Sequence, residues 1–224
     1  MLPKIAALSD SAGKIAHDFN NILAAISGSA ALIEMGGGDT SRHIRNIYAA
    51  TNRGAEMMRH LLALSPRMDG PLTPVEPEDL LAELKTGLGD EPVSTHPLST
   101  FASPGLGPVS LDGPQVLNAL RALIDNARDA MPAGGPILVT AQAIGADEIA
   151  FSIHDSGPGL APELQAKMFE PFFTTKPKGK GTGLGLPLVL RIVHRHGGRL
   201  LVRSEPGQGT AVTCVFPRQP APTG

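Results

Sequence analysis

The chain has 224 residues, 19 Lys and Arg against 21 Asp and Glu, and so a formal charge of 19 − 21 = −2. That near-neutral balance gives no electrostatic reason to bind nucleic acid or an anionic membrane. An apolar fraction of 42 % supports a packed core, and the lone Cys214 excludes an intrachain disulfide and a cysteine-rich zinc site.

The N-terminal stretch MLPKIAALSDS is too short and polar for a signal peptide, and no apolar run reaches the roughly 18–20 residues of a membrane helix. The expectation is a cytoplasmic chain or the cytoplasmic core of a larger protein, with no membrane contact from this segment. Residues 4–64 read as a helical hairpin. In its first arm Ile15, Phe19, Ile22, Ile26, Ala30 and Ile33 recur at helical spacing, with Ser29 in place of Ala30 in a strict heptad. In its second arm Ile44, Ile47, Thr51, Gly54, Met58 and Leu61 do the same. Gly36, Gly37 and Gly38 separate the arms, and Asp39, Thr40 or Ser41 can cap the second helix. Two helices bury too little alone, so the hairpin either packs on the rest of the chain or pairs with a second copy. The favoured expectation is a homodimer through residues 4–64, forming a four-helix bundle.

Pro66, Pro71, Pro74 and Pro77 follow and read as a hinge. Beyond it the pattern is mixed. Helices are expected over 79–88, 115–131 and 186–196, and strands over 137–141, 149–155, 200–203 and 210–216. Residues 89–110, rich in Pro and Ser, give no clear pattern, and the tail from 218 is expected to be disordered.

Four strings in the second half carry chemistry. DSGPGL (155–160) closes a strand on which Ile149, Phe151 and Ile153 share a face with Asp155. A carboxylate facing a core needs hydrogen-bond donors, and an adenine amine is one. The glycines would let a flat ring approach the backbone, although a plain turn after a strand has the same composition. GKGTGLGLP (179–187) offers Gly181, Gly183 and Gly185 amides at a helix start, an anion cradle flanked by Lys176, Lys178 and Lys180; a flexible lysine-rich loop is the alternative. FEPFFTTK (169–176) gathers three of the seven Phe into a hydrophobic plug that would anchor a lid. In DNARDAM (125–131) Asn126 faces away from the core stripe, with small Ala119 and Ala122 on its side. Its neutral oxygen suits Mg²⁺ shared with phosphates, or else it is a surface amide.

Taken in chain order, DNARDAM, DSGPGL, FEPFFTTK and GTGLGL resemble the N box, first glycine box, F box and second glycine box of the GHKL ATPases, and specifically of sensor histidine kinases. The resemblance spans about residues 75–217. It implies an α+β chain in which a helical hairpin precedes an α/β sandwich ATP-binding domain of the Bergerat type. The expected division is 1–68 for dimerisation and histidine phosphotransfer, 69–217 for ATP binding, and 218–224 for the tail. It also implies ATP and Mg²⁺ as cofactors. ATP would be held by Asn126, Asp155, Gly157, Gly159, Thr175, Lys176, Gly181, Thr182, Gly183, Leu184 and Gly185, with Asn126 as the metal ligand and Asp155 on the adenine.

The hairpin string HDFNN (17–21) resembles the H box of a phosphotransfer domain in the HDFNN and NARDAM subgroup. The resemblance implies His17 as phosphoacceptor, Asp18 as its acid/base partner, and Asn21 positioning water to dephosphorylate a response-regulator receiver domain, the expected partner. Two positions depart from the subgroup. Ala122 stands where an Asn is usual, one turn before Asn126, and Leu117 stands where Glu is common. Three functions follow: a histidine kinase, a phosphotransfer adaptor of the same fold that does not use ATP, and a GHKL chaperone or topoisomerase ATPase. The intact glycine boxes favour the first, Ala122 points to the second, and the H-box hairpin argues against the third.

Overall fold

A computed structural model describes residues 19–36, 38–63, 70–88, 95–176 and 182–219. The chain divides into two compact units: the hairpin together with Pro171–Leu184, and the remainder from the hinge onward.

In the first unit, helix α1 covers residues 19–34 and α2 runs Thr40–Ala63. The turn between them places Gly36 at φ 67° and Gly38 at φ 80°, conformations that cost glycine nothing. Of the three candidate caps, Asp39 is the one used: its Oδ1 accepts the Arg42 N–H at 3.2 Å, satisfying a donor that the first turn leaves open. Among the described side chains, the buried positions are Ser29 on α1 and Ala50 and Met57 on α2. A Cβ added at Gly54 would sit 3.4 Å from Ile22 Cγ2, so the small residue lets the helices approach closely.

This corrects the expected stripe. Ser29, the strict-heptad position, is buried while Ala30 is exposed, and Thr51 turns outward with its hydroxyl on the Ile47 carbonyl at 2.9 Å. Phe19, Leu23, Leu32, Ile44, Tyr48 and Met58 stay exposed on this single hairpin. Ile15, the side chain of Leu61, Pro66 and the tail from 220 lie outside the described residues.

The second unit is a two-layer α/β sandwich, matching the expected α+β class. Strand β1 (Thr73–Val75) pairs antiparallel with β3 (Val109–Leu111) in a small ladder. The main sheet holds β2 (Leu98–Ala102), β4 (Ile137–Ile144), β5 (Glu148–Asp155), β6 (Arg199–Ser204) and β7 (Thr210–Pro217) in the order β2-β4-β5-β7-β6. Only the β2–β4 pairing is parallel. Helices α3 (Pro77–Gly87), α4 (Gly113–Ala130) and α6 (Gly185–Arg195) cover one face, and a short α5 spans Pro162–Lys167. Period-2 alternation sends Val139, Ala141, Ile149, Phe151, Ile153, Val212, Cys214 and Phe216 into the core beneath those helices, and all are buried. Cys214 is wholly buried, and loss of solvent pushes its thiol up to about 12.

One polar cluster interrupts this core. Asp112 precedes α4 and caps it through Oδ1 on the Gln115 N–H at 3.2 Å. Its Oδ2 pairs with Arg195 of α6 at 3.1 Å and accepts the Gly70 N–H at 2.7 Å, while Arg195 also donates to the Gly70 carbonyl. The Asp112 N–H donates to Nε2 of buried His196, whose Nδ1 meets the Ile192 carbonyl at 2.7 Å. The chain leaving the hinge is thus gripped through both polar groups of one glycine. A side chain there would collide, its Cβ 2.8 Å from Asp112 Oδ2. Removing one member of a buried ion pair strands the other, so Asp112→Ala is expected to cost about 3–5 kcal/mol. Urea unfolding followed by circular dichroism measures it, and a loss below about 1 kcal/mol, the scale of an ordinary cap alone, contradicts the cluster's role.

Candidate nucleotide site

Strand β5 carries three apolar residues into the core and ends on Asp155. The carboxylate is half-buried, and two donors meet it from the protein itself. Oδ1 accepts the Gly157 N–H at 2.9 Å and the Thr210 N–H at 3.1 Å. Among the described residues nothing donates to Oδ2, which is left as an acceptor of fixed orientation.

The turn after Asp155 is welded to the β6–β7 turn. The Gly207 N–H donates to the Pro158 carbonyl at 2.7 Å, and the Leu160 N–H to Ser204 Oγ at 2.8 Å. Gln165 on α5 donates through Nε2 to the carbonyls of Leu160 and Ser204, both at 2.9 Å. Gly159 has φ 68°, and a Cβ on it would fall 2.0 Å from the Glu205 oxygen. The structure therefore gives this glycine a reason that the sequence reading lacked, the close passage of a second backbone. Gly157 abuts Met131, whose Cγ lies 3.3 Å from a Cβ built there; the Ser156 hydroxyl donates to Met131 Sδ at 3.4 Å. Met131, Gln165, Ser204 and Thr210 all shape this wall, and the sequence reading gave none of them an individual role in the site.

Asn126 is half-buried on α4, and its Nδ2 is buried. A Cβ on Gly185, the first residue of α6, would lie 3.9 Å from that nitrogen, so the amide looks onto the start of α6. Its expected neighbours divide. Ala122 is partly exposed, but Ala119 is fully buried on a helix that packs against α6. Ala119 therefore leaves no room for a ligand, contrary to the sequence reading. Leu117 is also buried, which makes it a packing residue and not a gap in the site. No group of three or more His, Cys, Asp or Glu that could hold a metal occurs among the described residues. A single neutral oxygen donor is consistent with Mg²⁺, which dehydrates reluctantly and takes most ligands from phosphates and water.

The other unit contains the segment between the F box and the second glycine box. Phe172 is buried, has φ 66°, and donates its N–H to the Gly183 carbonyl at 2.8 Å. Gly183 has φ 63°, and a Cβ there would fall 2.5 Å from the Phe172 carbonyl carbon, so only glycine fits against this left-handed turn. Leu184 is fully buried and its N–H reaches Thr182 Oγ1 at 3.4 Å. Thr175 is exposed and Lys176 is half-buried. Gly181, Lys178 and Lys180 lie outside the described residues, as do His17 and Asp18. Asn21 is described and is exposed on α1.

Residues 111–220 match the family described as histidine kinase-, DNA gyrase B-, and HSP90-like ATPase. Sensor kinase CckA of Brucella abortus is 37 % identical over 232 aligned residues, covering 96 % of this chain and 25 % of the relative. The sensory histidine kinase/phosphatase NtrB of Rhizobium meliloti is 31 % identical over 203 residues, covering 84 % of this chain and 53 % of its own length. The chain thus spans between a quarter and about half of these relatives. Among solved structures, histidine kinase ThkA in complex with the response regulator protein TrrA shares the fold across 99 % of this chain and 65 % of its own, at a TM-score of 0.78 and 21 % identity. The mycobacterial sensor histidine kinase MprB matches 67 % of this chain and 99 % of its own, at a TM-score of 0.56 and 28 % identity. Residues 111–220 accordingly match the ATPase domain of that family, and the relatives together support a two-component histidine kinase catalytic region.

Proposed function

We propose that this chain transfers the γ-phosphoryl group of ATP to His17 and then to an aspartate on a response-regulator receiver domain. One observation carries the ATP half of this reading: the Asp155 carboxylate is pinned through Oδ1 by two backbone donors, with Oδ2 left to accept from a base amine. On this reading residues 1–68 serve dimerisation and phosphotransfer and residues 69–217 serve ATP binding. Gly157 and Gly159 shape the adenine wall. Thr175, Lys176, Gly181, Thr182, Gly183, Leu184 and Gly185 serve phosphate binding. Asn126 supplies the protein oxygen to Mg²⁺, which neutralises phosphate charge when bound.

The neutral His17 imidazole attacks phosphorus as the bond to ADP breaks, and Asp18 holds the ring's other nitrogen and steadies its proton. Transfer of this kind depends mainly on positioning and charge neutralisation. No described helix is long and apolar enough to cross a membrane. Because ATP and receiver domains are cytoplasmic, we place the segment in the cytoplasm.

The test is incubation with γ-labelled ATP and Mg²⁺, which is expected to leave acid-labile, base-stable label on the protein. Ala122 favours one competing reading, a phosphotransfer adaptor that carries phosphate without using ATP. That reading gains if no label forms but a phosphorylated receiver passes its phosphate to His17.

The exposed apolar residues Phe19, Leu23, Ile44, Tyr48 and Met58 on the hairpin support a homodimer through residues 4–64. Light scattering at micromolar concentration is expected to give twice the chain mass, about 47 kDa from the 23.3 kDa chain. A monomer mass counts against the bundle.

Asn21 is exposed on α1 and follows His17 by four positions in the sequence, a spacing that on any helix is about 6 Å along the axis and nearly the same side. An amide so placed would orient water toward a phospho-aspartate without being needed when His17 attacks ATP. Asn21→Ala is expected to slow loss of phosphate from a purified, phosphorylated receiver while autokinase activity largely survives. Equal dephosphorylation rates, both above the receiver's own decay, would leave Asn21 a solvated helix residue.

A further inference from the structure

The row of residues that crosses the sheet at Asp155 holds a hydroxyl pair. Thr210 stands directly opposite Asp155 in the β5–β7 ladder, and Ser204 stands directly opposite Thr210 in the β6–β7 ladder. Their side chains therefore lie on the same face of the sheet as the carboxylate. Ser204 Oγ makes three contacts. It receives the Leu160 N–H at 2.8 Å, faces the Gly209 carbonyl at 3.0 Å and faces Thr210 Oγ1 at 2.9 Å.

A serine hydroxyl has one proton, and a carbonyl can only accept. The Ser204 proton therefore goes to Gly209, and in the contact with Thr210 the donor must be Thr210. That orientation consumes the Thr210 proton on the side away from Asp155. What Thr210 turns toward the carboxylate side is lone pairs only. On the nucleotide-site reading, the neighbouring side chains Asp155 and Thr210 then present acceptors to the base and no donor.

We propose that Ser204 is a specificity-determining positioning residue: by fixing the Thr210 hydroxyl as an acceptor, it makes the site select a 6-amino purine over a 6-oxo purine. The inference rests on the nucleotide-site reading above. A 6-amino group brings two N–H donors to such an edge. A 6-oxo group brings an acceptor that finds no donor, its N1–H restores only one of the two donors the amine supplied, and an acceptor buried without a partner is costly. Ser204 itself touches no base; it acts through Thr210. Losing its oxygen frees the threonine hydroxyl to rotate and donate toward the site, which would satisfy a 6-oxo group. Gln165 holds the Ser204 carbonyl and so keeps the strand end in place, but leaves the hydroxyl direction to Ser204 itself.

The experiment titrates the full chain with ATP and with inosine triphosphate by calorimetry, and records the thermal midpoint of each variant. Ser204→Ala is expected to lower the ratio of ATP affinity to inosine triphosphate affinity at least fivefold. Ser204→Thr, which keeps the oxygen, should leave the ratio within twofold of the parent. Ser204→Cys, close in volume but a weak hydrogen-bond partner, should behave like the alanine variant and stands in if alanine prevents folding. An unchanged ratio in the alanine or cysteine variant overturns the proposal, even if both affinities or the thermal midpoint fall, because a merely structural serine would weaken both ligands alike. Asp155→Asn separates this from failure of the underlying reading. If that variant binds ATP as the parent does, the nucleotide site is misassigned. If it loses ATP while Ser204→Ala keeps the ratio, only the role of Ser204 is wrong.

Discussion

His17→Ala is expected to abolish labelling of the protein by γ-labelled ATP while leaving its affinity for ATP within about twofold of the parent. Alanine has no nucleophile, and the remaining six His (His43, His60, His96, His154, His194 and His196) sit in no comparable HDFNN context. His196 illustrates the difference, since both its ring nitrogens are engaged inside the core, with the Asp112 amide and the Ile192 carbonyl. The proposed adenine contact follows the hinge in the sequence, and Asp155 takes its bonds from Gly157 and Thr210, so removing an imidazole from the hairpin is expected to leave that contact untouched. Labelling and calorimetric binding are measured on one preparation. Undiminished label on the variant would refute the phosphoacceptor assignment, and a parallel loss of ATP binding would show that the residue acts on folding.

Asp155→Asn is expected to weaken ATP binding more than tenfold with little change in fold. The two backbone N–H groups on Oδ1 select which way the new amide turns: its oxygen must stay where they point. The nitrogen is then forced into the position of Oδ2, where a donor faces the donor of the adenine amine. Replacing one good hydrogen bond with an opposed pair costs on the order of 1–3 kcal/mol in a partly buried site, and 1.4 kcal/mol is already tenfold. Calorimetric titration with ATP decides it, and equal affinities for the two proteins would remove Asp155 from the adenine contact.

Much of the architecture was legible because the strongest periodic signals belong to the central elements. The expected strands at 149–155 and 210–216 correspond to β5 (Glu148–Asp155) and β7 (Thr210–Pro217), and the expected helices at 115–131 and 186–196 to α4 and α6. Each carries an unbroken apolar face that must be buried. The misses share another cause. β1 and β3 are three residues long, and β1 includes Pro74, whose ring removes a ladder donor and whose sequence context reads as a hinge. β2 sits at the sheet edge with alternate residues exposed, so its pattern is too weak to separate from the Pro- and Ser-rich stretch around it.

The same split holds within the site. Asp155 was visible because a charged residue at the end of an apolar strand is out of place. Thr210 and Ser204 were not, because they reach Asp155 and Leu160 from 55 and 44 residues away and look like ordinary strand-end hydroxyls. Ala119 was misjudged for a related reason. A small residue signals space in a sequence, and only packing shows whether a ligand or another helix fills it.

Cys214 has a consequence for how the chain responds to its surroundings. It is the only sulfhydryl in 224 residues, it is sealed under the helices, and its thiol sits at about 12. Oxidants and alkylating reagents attack the thiolate, so at neutral pH they find almost no target here. Thiol-directed oxidation of this segment is accordingly blocked while it remains folded, whereas the exposed Met35 and Met58 stay open to sulfoxide formation. The reagent reaches the sulfur only through opening of the sheet, so the rate of thiol modification reads out how often this core opens. A single cysteine placed on the exposed surface of α1 would, for the same reason, react by itself against a silent background.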